Sequence, residues 1–541
     1  MRSALALILV AGAVSAAPRF TTPPALAANP NPSVPLAAIL TFQADQPVTT
    51  LIDVTDGKHS WQLRYLPDRS PAAGLPVIGM RAARPHTIRV TIVGANGAKT
   101  AAPEPLSFTT PALPTAEGEF PPIKVTVSQP NRMEPGYTLF SPRRSGRDNA
   151  FSTSFGMLCM VDATGEPVWY FRTNSRISDL QPLRNGNLAF LTQDYRAVEI
   201  DMLGNVVHQW YASRRPAGPT TGTPIDTITF HHELDELPNG NLLVLSSEIR
   251  EIDNYYTSET DPQAPRKRQK VMGDVVIEFT RDGKEVWRWN AFDYLDPFRI
   301  GYETFDGYWT RRGFPDVLAD FSHSNGVVYD PTDDSILVNF RMIANVVKVD
   351  RKTKQIKWIM GDPKGLSPEL QKKAFRLEPA GARWFYHQHA PTPTQRGTFM
   401  VFDNSNYRAF PFDKPVPPGD TYSRAVEYRL DEKNRVAREV WVSEAQPPAG
   451  EWASSIAMGD VDPMPKTGNV LVHYGFLMPR TEAARASRGG LGDSMEWSRI
   501  REFTHAKKAE LVWEIVLGDP TGNAKTGWHI YGGERLPSLV P

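Results

Sequence analysis

Leu237-Pro238-Asn239-Gly240-Asn241-Leu242-Leu243-Val244-Leu245 is the stretch on which the fold turns. Asn-Gly supplies the positive φ that a tight turn needs, and the Leu-Leu-Val-Leu run after it reads as a buried strand. Further along come Glu278-Phe279, an Asp282-Gly283 turn, and a strand ending in Trp287 and Trp289. Both halves recur. The turn-and-strand half returns at 183–191, 333–340, 396–402 and 467–472, and the Trp half at 161–170, 200–210, 349–358, 428–441 and 503–513. One short β unit repeated along most of the chain predicts sheets arranged radially, a β-propeller, with each Trp filling the space between neighbouring blades.

Six Trp halves stand against five turn-and-strand halves, and the repeat opens on a Trp half without a partner. The other end of the chain is expected to supply it. Residues 528–539 would pair beside 155–170 and close a six-bladed ring, removing the sheet edges that an open array exposes.

Ahead of the repeat, 29–110 alternates short apolar stretches with turns such as Asp56-Gly57, the pattern of a small β-sandwich. A Pro-, Thr- and Glu-rich connector follows at 111–122. The expected fold is therefore all-β: an N-terminal β-sandwich domain at 29–122 and a six-bladed propeller at 123–541, closed by its C-terminal segment. Residues 1–17 carry a charged tip (Arg2), an apolar run from Ala4 to Val14 and a small-residue cleavage pattern at Val14-Ser15-Ala16. This is the layout of a secretory signal peptide, and its apolar run is too short to span a bilayer. A periplasmic or secreted protein is expected.

The composition agrees with many short strands: 13 Trp, 25 Phe and 17 Tyr sit among 39 Gly and 48 Pro. Sixty basic and 60 acidic residues cancel, which argues against a nucleic-acid partner. Cys159 is the sole cysteine, so no intrachain disulfide forms, and its apolar setting makes it a core residue. Asp333-Asp334 reads as a solvated turn, and no metal ligand set is assigned.

Five of the 11 histidines lie just before or at the head of a blade: His231, His232, His323, His387 and His389. His59, His86, His208 and His505 fall in polar contexts that suit hydrogen-bonded structural roles, and His473 and His529 sit on apolar strands that suit packing. His232 and His389 share one offset, eight residues before the turn glycines Gly240 and Gly397. His323 heads the blade between them, with Arg341 on its strand. In a propeller, three imidazoles and a guanidinium so placed would face one channel. A neutral imidazole is a competent nucleophile near neutral pH, a second one moves a proton, and a guanidinium offers a fork of donors to a tetrahedral oxyanion. Three histidines also suit zinc, and histidines packed structurally give the same spacing, so spacing alone leaves these readings open.

The motifs around these residues resemble one family. His231-His232-Glu233 stands before Leu237-Pro238-Asn239-Gly240-Asn241. Ser-His-Ser-Asn-Gly-Val-Val-Tyr-Asp spans 322–330. Arg341 precedes Val347-Lys348-Val349-Asp350 and Trp358-Ile359-Met360-Gly361, and Gln388-His389 precedes Phe402-Asp403-Asn404. Together they resemble the bacterial PAPS-independent arylsulfate sulfotransferases, whose members have a β-sandwich followed by a six-bladed propeller. The resemblance covers nearly the whole mature chain. It implies transfer of a sulfuryl group from a phenolic sulfate donor to a phenol acceptor through a sulfohistidine, without a cofactor and with ping-pong kinetics.

By this resemblance His389 is the nucleophile, and His323 and Arg341 take the family's other central positions. The fourth position falls in His231-His232, where the repeat offset favours His232. His231 and Asn325 are expected to contact substrate, with Asn325 orienting its neighbour, and protonated histidines are expected to add positive charge around the sulfuryl oxygens. A homodimer is compatible with the family. This chain departs from certain members in lacking their disulfide, and its loops at 408–420 and 477–497 match nothing. Two rival readings remain at this stage: a quinone-cofactor propeller dehydrogenase, on the Asp162-Ala163-Thr164-Gly165-Glu166-Pro167-Val168-Trp169 motif, and an exported propeller that only binds.

Overall fold

The recurring tryptophans are the clasps of the fold. In the computed structural model, which describes residues 16–146, 152–417, 420–446, 453–479 and 495–539, each blade's Trp reaches the next blade. Trp169 Nε1 donates to Met202 O at 3.0 Å, Trp210 to Arg281 O at 2.9 Å, Trp289 to Lys354 O at 3.1 Å and Trp358 to Glu432 Oε1 at 3.2 Å. Trp513 completes the cycle by donating to Ala163 O at 3.0 Å, from the last blade back to the first. Trp441 stacks on His505 instead, with ring centroids 5.5 Å apart.

Two compact units are present, 1–113 and 114–539. The first holds a three-stranded and a five-stranded sheet. The second holds six sheets of four or five strands, whose innermost strands are Gly527–Leu536, Ile177–Pro182, His231–Glu236, Ser324–Asp330, His389–Pro393 and Asp460–Pro463. These six strands touch in turn around a closed ring, which makes the sheets blades. Their apolar core lies between blades: Leu191, Trp210, Val244 and Phe279 pack the second against the third, and Trp289, Phe340 and Val347 pack the third against the fourth.

The Asn-Gly-Asn turns have a purpose beyond reversing the chain. Asn185 and Asn187 donate to Glu199 at 2.9 and 2.5 Å, and Asn239 and Asn241 donate to Glu278 at 3.3 and 2.6 Å. Each buried glutamate also takes an arginine from the following blade, Arg281 and Arg351 respectively. A buried carboxylate is tolerable only with such partners, so turn and neighbouring blade are tied to one side chain.

Closure differs from the sequence expectation in one respect. Strand Gly527–Leu536 does enter the first blade, but it pairs with Tyr137–Ser145, which stands between it and Gly156–Val161. The ring is also closed a second time, by strand Ile123–Ser128 pairing with Leu511–Leu517 at the outer edge of the sixth blade. Both additional strands lie before the first Trp half, where no repeat marks them. Most of the expected leader and most of the 477–497 loop lie outside the described residues. No helix among the described residues is long and apolar enough to cross a membrane.

Candidate active site

Four of the six innermost strands, those of blades two to five, begin with an irregularity where they meet the channel. His231 pairs with Leu245, yet Leu234 pairs with Val244; His389 pairs with Phe402, yet Thr392 pairs with Met400. Such bulges re-aim side chains. They also place non-glycine residues in the left-handed region: His232 at φ 58°, His323 at 46° and Ala390 at 52°. Backbone of this kind persists only where its surroundings enforce it. The ladder also corrects the repeat offset, because the residue opposite Leu245 is His231, as His389 is opposite Phe402, and blade three spends one more residue in its bulge.

Four sequence candidates do come together. The rings of His232 and His323 meet edge to face at 4.8 Å, His389 approaches Tyr531 at 6.5 Å, and His232 approaches the same tyrosine at 6.0 Å. Arg341 is buried and its charge acts on both His323 and His389.

Hydrogen bonds fix the tautomers. Asn404 Nδ2 donates to Ser455 O and Met458 O, so Asn404 Oδ1 must accept from His389 Nδ1–H, 2.7 Å away. His389 Nε2 is then a bare lone pair, and it accepts Met458 N–H at 3.2 Å. His323 Nδ1 lies 2.6 Å from Asp320 Oδ2, and its Nε2 has no hydrogen-bond partner among the described residues. His231 Nε2 donates to Ser246 O at 3.0 Å and its Nδ1 accepts from His232 Nδ1 at 2.8 Å, so His232 likewise turns Nε2 to the channel.

Burial keeps these imidazoles neutral. It lowers His231, His323 and His389 to about 3 and His232 well below the usual value, with neighbouring cations and imidazoles adding to the effect. Protonated histidines are therefore not the resting source of positive charge. That source is Arg341: burial opposes its charge, but the Glu303 carboxylate outweighs burial and keeps the guanidinium ionised. Arg312, over the ring of Tyr308 at 4.6 Å, adds a second cation whose charge reaches His323.

Two expectations change. His231 has both ring nitrogens engaged by protein and packs on Trp309, so it supports His232 rather than meeting substrate. Asn325 is buried, donates to Gln388 O at 3.0 Å and accepts from Asn339, so it anchors the backbone just ahead of His389. His387 lies outside the trio, 3.8 Å from Glu303. His208 and His505 serve structure, bonding Thr223 and Glu427, and His529 bonds Glu496 at 2.9 Å rather than packing in an apolar setting.

Sequence reasoning missed Glu303, Tyr308 and Arg312, on the connector that leaves the third blade, and Asp320, at the end of the short strand Val317–Asp320 that pairs back into that blade. Tyr308 stands between His232 and His323, at 5.9 and 4.6 Å. The connector has no repeat pattern, so nothing local marks these residues. Asn404 was in view as part of Phe402-Asp403-Asn404 but carried no role.

Residues 123–521, nearly the whole propeller unit, match the arylsulfotransferase (ASST) family. The chain belongs to that family. Among curated ASST relatives, the arylsulfate sulfotransferase AssT of Escherichia coli O6:H1 is 28% identical over 284 residues, 45% of this chain and 43% of that protein. AssT of Lelliottia amnigena is 25% identical over 335 residues, 52% of each chain. The match thus spans about half the length of these relatives. Solved structures are more distant: a Bacteroides caccae protein of unknown function gives a TM-score of 0.37 at 11% identity, covering 74% of this chain and 98% of that one.

Proposed function

We propose that the protein transfers a sulfuryl group from an aryl sulfate to a phenol through His389, without a nucleotide cofactor. Membership in the ASST family supports the reaction class. The observation that carries the mechanism is the arrangement of His389: a neutral imidazole, its Nδ1–H fixed by Asn404, presenting Nε2 beside a buried, ionised Arg341.

In the first half-reaction the Nε2 lone pair attacks sulfur, the S–O bond breaks, and its electron pair leaves on the phenolic oxygen. Arg341 gathers the three peripheral oxygens, whose alignment and charge matter more to such a transfer than covalent help. The anionic donor offsets the burial that keeps His323 neutral, so His323 enters with a proton on Nε2, supported by Asp320, and gives it to the departing phenolate. The acceptor phase reverses these steps: His323 takes the proton of the incoming phenol, whose oxygen attacks sulfur and releases His389. Met458 N–H must leave Nε2 for the attack, and it then lies beside the transferred oxygens. The signal-peptide pattern of residues 1–17 supports export, and with it a reaction outside the cytoplasm.

Purified protein incubated with 4-nitrophenyl sulfate and a phenol, with no nucleotide present, tests the reading. Release of nitrophenol with matching formation of the sulfated acceptor is expected. Absence of transfer across a panel of phenols, by folded protein, would overturn it.

A further inference from the structure

Asp460 and Asp462 stand two residues apart on the innermost strand of the sixth blade, and Asp460 is the ladder partner of His473 on the adjacent strand. Alternate residues of a strand and the residue directly opposite share one face of a sheet. Register alone therefore gathers the three side chains. One ligand atom from each lies within 4.8 Å of the other two.

Their surroundings are not those of a packed histidine. His473 is fully buried, and neither of its ring nitrogens has a hydrogen-bond partner among the described residues; Asp462 Oδ2 is buried in the same condition. A neutral imidazole carries a donor and an acceptor, and burying both unpaired is costly. The charged neighbours that act on Asp462 are Asp460, Glu534 and Glu233, all acidic. Asp460 accepts from Val461 N and Gly533 N at 2.9 and 3.1 Å, bonds that leave lone pairs on both its oxygens. Space is kept by glycine on the closing strand Gly527–Leu536: a Cβ at Gly533 would come within 2.9 Å of His473 Nε2, and one at Gly532 within 2.6 Å of Asp460 Oδ2.

We propose that Asp460, Asp462 and His473 hold a divalent cation of the zinc or manganese class where the sixth blade meets the C-terminal strand. One imidazole with two carboxylates suits these metals, whereas calcium takes a larger, all-oxygen set. The ion gives His473 its missing partner and relieves the repulsion among the carboxylates. Its place against strand Gly527–Leu536 makes it a brace for ring closure, separate from His232, His323 and His389.

Chelator-stripped full-length protein titrated with ZnCl2, MnCl2 and CaCl2 by calorimetry tests the site. The wild type is expected to take up one equivalent of zinc or manganese with a rise in melting temperature. Asp462→Asn should lose both the saturable equivalent and the rise, whereas His232→Ala should retain them. If Asp462→Asn does not fold, His473→Gln, of similar volume, stands in its place. No saturable zinc or manganese in the wild type overturns the proposal, as does binding that persists in the substituted site or disappears in His232→Ala.

Discussion

Glu303 Oε2 lies 2.5 Å from an Arg341 guanidinium nitrogen, and Tyr407 donates to the other carboxylate oxygen at 2.9 Å. The carboxylate engages one arm of the guanidinium proposed to hold the sulfuryl group, so in that mechanism Glu303 would compete with the donor. Glu303→Gln is expected to lower the KM for the aryl sulfate, measured by steady-state nitrophenol release. Arg341→Lys keeps a charge but loses the fork, and its turnover should fall roughly a hundred- to a thousandfold, as for a lost transition-state donor. Near-normal turnover in Arg341→Lys would reduce the arginine to a structural part.

The closing strand makes a second prediction. Gly527–Leu536 is the innermost strand of the first blade and buries Trp528, His529, Ile530 and Tyr531. Truncation after Gly527 removes that ladder and opens the ring, so the thermal midpoint should fall far more than for a point change. Trp513→Phe gives the comparison: it deletes one clasp, the bond to Ala163 O, at a cost of about 1–3 kcal/mol. An unchanged midpoint in the truncated protein would contradict closure by this strand.

The propeller could be read from the sequence because its determinants are local. Each Trp half and each Asn-Gly-Asn turn is complete within a dozen or so residues, and the clasp it forms repeats from blade to blade. The first strands, Ile123–Ser128 and Tyr137–Ser145, escaped because their partners come from the far end of the chain. The long hairpin of the third blade, Leu242–Tyr255 with Lys267–Phe279, escaped as well, since the repeat shows only its inner part. In the site, residues on repeated blade strands were legible, while Glu303 and Tyr308 owe their positions to the packing of an irregular connector, and Asp320 to a short strand, Val317–Asp320, that the repeat does not mark. The His232 offset pointed to the histidine that meets His323, although the ladder equates His389 with His231.

Burial of His389 predicts an unusual pH profile. An ordinary imidazole titrating near 6.5 would lose roughly twenty-five-fold of its neutral form between pH 7 and pH 5. His389 is depressed to about 3, so its neutral form predominates throughout that window. The rate of the first half-reaction, followed in single turnovers with donor alone, should therefore change little from pH 7 to pH 5. A loss that follows a group near 6.5 would show that the nucleophile is solvated, or is another residue.

The proposed mechanism puts the covalent step on one residue, His389. His389 is the only one of the three channel histidines whose Nδ1–H is held by a neutral amide, Asn404, rather than by a carboxylate or another imidazole. This partner orients the ring without drawing off its proton, which suits a group that must accept sulfur on Nε2 and later release it. Protein mixed with aryl sulfate alone should release about one phenol per site in a burst, and the peptide containing His389 should gain the mass of a sulfuryl group. Adding a phenol should remove the adduct. His389→Ala should lose both burst and adduct. His387→Ala should keep the burst, because His387 lies beside Glu303 and outside the trio. A burst that survives in His389→Ala, with the adduct on His323 or His232, would move the nucleophile within the same channel and leave the propeller reading intact.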